Sequence, residues 1–130
     1  MNYNTAHKIS KLYHGREDID HISSKEAFTQ TIRLIKGGWF DSAWIYTGSS
    51  AKPTSIDGLL AVRPNTKQRI YAIFYVDYAD EYHIDFVHIG RDRASFVYQQ
   101  WGIYFDNLAD MYKSMYDDYC SQYQDGFIYV

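Results

Sequence analysis

The sequence predicts an α+β fold: two N-terminal helices, a mostly antiparallel sheet of about five strands, and a long C-terminal helix packed on that sheet. Three observations predict it. Apolar residues recur at helical spacing as far as Lys36 and alternate from Trp39 onward. The later apolar runs are joined by Tyr78–Glu81 and Gly90–Arg93, both short enough for antiparallel hairpins. Helical spacing then returns after Asp106. With 130 residues, the chain is expected to form one domain over its whole length, 1–130.

Taken in order, Asn4 or Thr5 is placed to cap a short helix whose Ile9, Leu12 and Tyr13 share a face, with Gly15 as its stop. After a charged connector, Arg16 to His21, Ser23-Ser24-Lys25-Glu26 has the form of a capping box. The helix it opens is expected to reach about Lys36, ahead of the breaker Gly37-Gly38. Ala27, Phe28, Thr31, Ile32, Leu34 and Ile35 fall on one side of it, and Lys25, Thr29, Arg33 and Lys36 on the other, so its outer face is basic. Strands are expected over Trp39–Tyr46, Leu59–Arg63, Ile70–Asp77, Tyr82–Ile89 and Ala94–Gln100. Residues 47–58 form a polar loop, long for a compact domain and therefore a candidate functional loop. Asp106 is expected to cap the final helix, which runs to about Gln124 before Gly126 breaks it, and Phe127–Val130 could add a last short strand.

Composition narrows the function classes. A hydrophobic content of 46% excludes wholesale disorder. The longest apolar run, Ile70–Val76, is far short of the roughly 20 residues that span a bilayer. The N-terminus, MNYNTAHKIS, has no apolar core of the kind a secretory signal carries. A single cysteine, Cys120, excludes an internal disulfide and fits a reducing compartment, so a cytoplasmic location is expected. The net charge of −3 conceals a split: residues 1–76 hold ten basic against six acidic side chains (+4), and residues 77–130 three against ten (−7). Such a chain can present opposite potentials on different faces.

The chain is also rich in tyrosine, with 14. Along Ile70–Val76 one face carries Ile70, Ala72, Phe74 and Val76, and the other Tyr71, Ile73 and Tyr75. Helices can bury the first set. The second must meet another layer or stay partly open, and tyrosine tolerates both, because its ring is apolar and its hydroxyl takes water or a partner. Open tyrosine-rich surfaces are what binding interfaces favour, which makes Tyr71 and Tyr75 candidate partner-binding residues.

Four groupings carry candidate chemistry. On the last helix, Asp106, Asp110 and Asp117 fall within about 40° of one another, opposite Leu108, Met111, Tyr112, Met115 and Tyr119, and Asp118 widens the acidic edge. Such a row of carboxylates suits a basic groove on another protein, as DNA phosphates would. His83 and Asp85 stand two apart on one strand and share a face, the arrangement for general acid–base work in a small nuclease or phosphoryl-processing enzyme, with Tyr82 or Arg91 in support. No third ligand sits at a metal-site spacing from them, His7, His14 and His21 cannot align on one helix, and Cys120 has no CxxC partner, so no metal and no cofactor is expected. Gly48 to Pro53 lacks phosphate-loop spacing. Lys25, Arg33 and Lys36, with strand tyrosines, would suit single-stranded nucleic acid, but the pI near 5.9 and the −7 half argue against direct nucleic-acid binding.

In general character (short, rich in Tyr and Asp, without a catalytic signature) the chain is similar to accessory proteins of phages and mobile elements, including anti-restriction and anti-CRISPR inhibitors. That similarity is one of composition. Together with the charge split it implies a non-enzymatic inhibitor or binding protein, acting through an acidic, tyrosine-rich surface on a protein partner with a basic surface, such as a nucleic-acid-processing complex.

Overall fold

A computed structural model of the chain describes residues 1–16, 18–19, 25–46 and 58–120. The serines of the expected capping box, loop residues 47–57 and everything from Ser121 onward, including Gln124, Gly126 and Phe127–Val130, lie outside the described residues. The elements are helix α1 (Tyr3–Tyr13), helix α2 (Lys25–Leu34), strands β1 (Phe40–Tyr46), β2 (Leu59–Pro64), β3 (Ile70–Val76), β4 (Tyr82–Ile89) and β5 (Ala94–Ile103), a 3₁₀ turn (Phe105–Asn107) and helix α3 (Leu108–Tyr119). The fold is α+β, with two helices before a five-stranded sheet and one after it.

The strands lie in the order β1-β2-β3-β4-β5, and every neighbouring pair is antiparallel. The middle of the sheet is apolar on both faces, so each face needs a cover. On one side Phe28 and Ile35, from α2 and the turn after it, join Leu108, Tyr112, Met115 and Tyr116 of α3 over Leu60, Phe74, Ile84 and Phe86. On the other, Ile9 and Tyr13 of α1 cover Ala61, Ile73, Tyr75 and Val87, with Ile19 alongside. The second residue set of β3 therefore does meet another layer: α1 is that layer. Among the described residues no helix is long and apolar enough to cross a membrane.

Local chemistry sets the ends. Asn2, rather than Asn4 or Thr5, caps α1: its Oδ1 accepts the amide of Thr5 at 2.9 Å, one of the donors that a first turn leaves without a helical partner. α2 stops at Leu34, and Leu34 is 59% exposed instead of facing the core. Asp106 lies inside the 3₁₀ turn, and Asn107 takes the N-cap place of α3 without a side-chain hydrogen bond. β5 runs three residues past Gln100 to Ile103. Near that end Tyr82 pairs with Ile103 and Ile84 with Gln100, so Trp101 and Gly102 together oppose His83. Gly102 takes φ 70°, the left-handed conformation that such a bulge demands of one residue.

Candidate functional site

Polar side chains gather in two places, on opposite faces of the sheet. The first lies where α1 ends on β3 and β4. The hydroxyl of Tyr13 donates to Asp85 Oδ2 at 2.7 Å, and Gln99 Nε2 donates to Asp85 Oδ1 at 3.0 Å, so a carboxylate only 2% exposed has a partner on each oxygen. Burial, then the facing Asp85 carboxylate, push the Tyr13 hydroxyl well above its ordinary 10.0. Arg16, just past α1, donates through Nη2 to the Tyr75 hydroxyl at 2.6 Å. It also grips Asp18 with two bonds of 3.1 Å, the fork-to-carboxylate geometry that guanidinium favours. Its hydrogen bonds hold the Asp18 carboxyl below the usual 3.8.

His83 belongs to this cluster, but its carboxylate is not Asp85. The two do share a face of β4, as alternation requires. His83 Nε2 instead meets Asp77 Oδ2 at 2.8 Å, and its ring stacks on Tyr75 with centroids 4.3 Å apart. Asp77 Oδ1 accepts the amides of Ala79 and Glu81, closing the β3–β4 turn. Burial is the largest influence on the Asp77 carboxyl and pushes it upward. The His83 bond and the two amides outweigh that, and hold it below its ordinary value. Of the two expected helpers, Tyr82 points to the α3 side, packed on Phe28 and Phe105. Arg91 lies beyond Ile89, at the other end of β4. What assembles is a network of mutually satisfied groups that fastens α1 and its following turn to the sheet. Among the described residues no group of three or more His, Cys, Asp or Glu is placed to hold a metal ion.

The second place is the outer side of α3 and the strand end leading into it. Asp106, Asp110, Asp117 and Asp118 are all exposed, while Leu108, Tyr112, Met115 and Tyr116 on the inner side are buried. Asp118 accepts the Tyr98 hydroxyl at 3.2 Å, tying the C-terminal end of the row to β5. From Asp106 to Asp118 the row covers about 18 Å at the α-helical rise. Cys120, just past the helix, is buried, which pushes its thiol up to about 12. On the strand end and linker that lead into the helix, two aromatic residues are open that alternation does not single out: Trp101 is 69% exposed and Tyr104 67%. The one signal for them is Gly102, since glycine inside a strand marks a bulge and a bulge re-aims its neighbours.

The expected tyrosine anchors are not part of this surface. Tyr75 is 1% exposed beneath α1, and Tyr71 is half-buried against Trp44 with Arg63 over its ring. Both project from the sheet face opposite α3. The same division separates them from α2, so the basic helix and the β3 tyrosines do not form one nucleic-acid surface. Lys25 and Arg33 do line an open cavity of about 330 Å³ on the outer side of α2, together with Glu26, Thr29 and Gln30. α2 and α3 touch in one layer, α2 carrying Lys25 and Arg33 and α3 carrying Asp110, Asp117 and Asp118. The candidate phosphate loop, Gly48 to Pro53, lies outside the described residues. Compared with protein-family models, curated proteins and solved structures, the chain matches none.

Proposed function

We propose that the protein is a non-enzymatic binding protein whose acidic α3 face, with the aromatic strand end beside it, occupies a basic surface on a macromolecular partner. The observation that carries the reading is the contrast on one helix. Asp106, Asp110, Asp117 and Asp118 stay exposed while the reverse side is anchored in the core, and Trp101 and Tyr104 are open on the chain that leads into it. Rigid presentation matters, because side chains already fixed by a packed helix lose little freedom on association. Large aromatic side chains supply the contact area that dominates interface energetics, and a charged rim steers the encounter. Occlusion of a nucleic-acid-binding groove, as in inhibitors of nucleic-acid-processing complexes, is the biological form this chemistry takes.

The test is titration of a nine-residue lysine peptide at several salt concentrations, for the native chain and for a triple variant with Asp110, Asp117 and Asp118 changed to Asn. The native chain should bind more weakly as salt rises, because exposed charges are screened within about 10 Å at 0.1 M. The variant should bind about ten-fold more weakly at low salt and with a shallower salt dependence. Equal affinity and equal slope for the two proteins would refute the reading.

A further inference from the structure

We propose that the strand end built from Trp101, Tyr104, Glu81 and Asp106 receives guanidinium groups, so that the basic partner is read through arginine and not through positive charge alone. The inference rests on the acidic-surface reading above and specifies its chemistry. Tyr82 pairs with Ile103 at the end of the register, and Glu81 and Tyr104 are the next residues outward on the two chains. The Glu81 carboxylate also lies against the bulge: a Cβ on Gly102 would meet Glu81 Oε1 at 3.3 Å. Trp101 precedes that glycine, and Asp106 follows Tyr104 by two residues. Two exposed aromatic residues and two acidic residues thus lie on one cross-strand step and the chain that flanks it. The turn that delivers Glu81 is fixed by Asp80 at φ 62° and by the Asp77 carboxylate on the Glu81 amide.

The same protein shows what such a group of side chains binds. At the end of α1, the Arg16 guanidinium lies 5.7 Å from the Tyr13 ring centroid and 5.4 Å from that of Tyr75, while its fork holds Asp18. Rings plus a carboxylate there make a guanidinium seat, filled by the chain's own arginine. Around Trp101 and Tyr104 the chain brings rings and carboxylates, but among the described residues no Lys or Arg of its own lies over either ring. A ring alone does not choose arginine, since Lys113 sits 5.5 Å over Trp39. The discriminating element is the ring with a carboxylate beside it: a planar guanidinium stacks and forks at once, whereas an ammonium does neither and sheds its water less readily.

The experiment compares nine-residue arginine and lysine peptides of equal charge, for the native chain, Trp101→Ala, Glu81→Gln and the triple Asn variant of α3. Trp101 is exposed and Glu81 half-buried, and circular dichroism checks that each variant is folded. The native chain should bind the arginine peptide about five-fold more tightly. Trp101→Ala should lose that preference, weakening the arginine peptide more than the lysine peptide while leaving the salt dependence unchanged, and Glu81→Gln should reduce the preference. The triple variant should weaken both peptides and keep their ratio. Equal native affinities for the two peptides, or a preference that survives Trp101→Ala, would overturn the guanidinium seat and leave the electrostatic reading standing. Failure of both peptides to bind at low salt would overturn both.

Discussion

The carboxylates on the two faces of this sheet do opposite work. On the α1 side, Asp18, Asp77 and Asp85 are each bound to a named donor: Arg16, His83 and Tyr13. On the α3 side, Asp106, Asp110, Asp117 and Asp118 stand at the surface of a helix whose inner side is core. The same residue type is a fastener where donors from other elements converge on it, as on buried Asp85, and a presented charge where a packed helix holds it outward. Placement in the fold, not identity, decides which role an aspartate takes: the Asp18 side chain is 45% exposed and still holds Arg16.

That contrast can be broken from the fastener side first. Asp85→Ala removes the acceptor of Tyr13 and of Gln99 together, and should cost about 3 kcal/mol in the urea midpoint analysis. Tyr13→Phe deletes one donor and leaves Gln99 in place, so its cost should be about half, roughly 1.5 kcal/mol. Stability against pH sharpens the point. The folded pKa of Tyr13 is raised above 10.0, so its contribution is whole below that value and is lost as pH rises beyond it. In Tyr13→Phe the alkaline limb should be shallower by up to about 1.4 kcal/mol per pH unit. Asp18 and Asp77 run the other way: their folded values lie below 3.8, so their contribution is present above it and lost as pH falls through those values. Denaturation midpoints measured between about pH 2 and about pH 11 should therefore fall at both ends. The smallest expected effect is on the presented face. Asn at positions 110, 117 and 118 should move stability by no more than about 0.5 kcal/mol. A loss comparable to that of Asp85→Ala would erase the distinction between the two faces.

What was legible in the sequence follows the range of the interactions. The change of period at Trp39 marks where helix gives way to strand, because alternation is a property of the local backbone, and the strands fall within a few residues of their expected ends. Asp106 as a cap was not legible, since nothing local distinguishes an N-cap aspartate from one held in a 3₁₀ turn. The separation of His83 from Asp85 was equally hidden. Sharing a strand face brings two side chains near, but Asp77 and Tyr13 reach them through a turn and through a helix 72 residues away. Tyr75 reads as an open anchor until α1 is laid across it, and α1 carries no mark of which face it will cover. Trp101 reads as one more strand aromatic until the bulge at Gly102 turns the edge.

The unbroken strand order carries a consequence for how the molecule assembles. Each strand pairs with its neighbour in the chain, so no pairing among the five strands waits for a distant segment, and every step after the first closes a modest loop. The bond from Tyr13 to Asp85 spans 72 residues, and both sides of it need β4 already set beside β3 and β5. The meander can zip one hairpin at a time and offer α1 a finished landing surface. Tyr13→Phe should then accelerate unfolding while leaving the refolding rate near that of the native chain. A refolding rate slowed in proportion to the lost stability would place α1 in the nucleus instead.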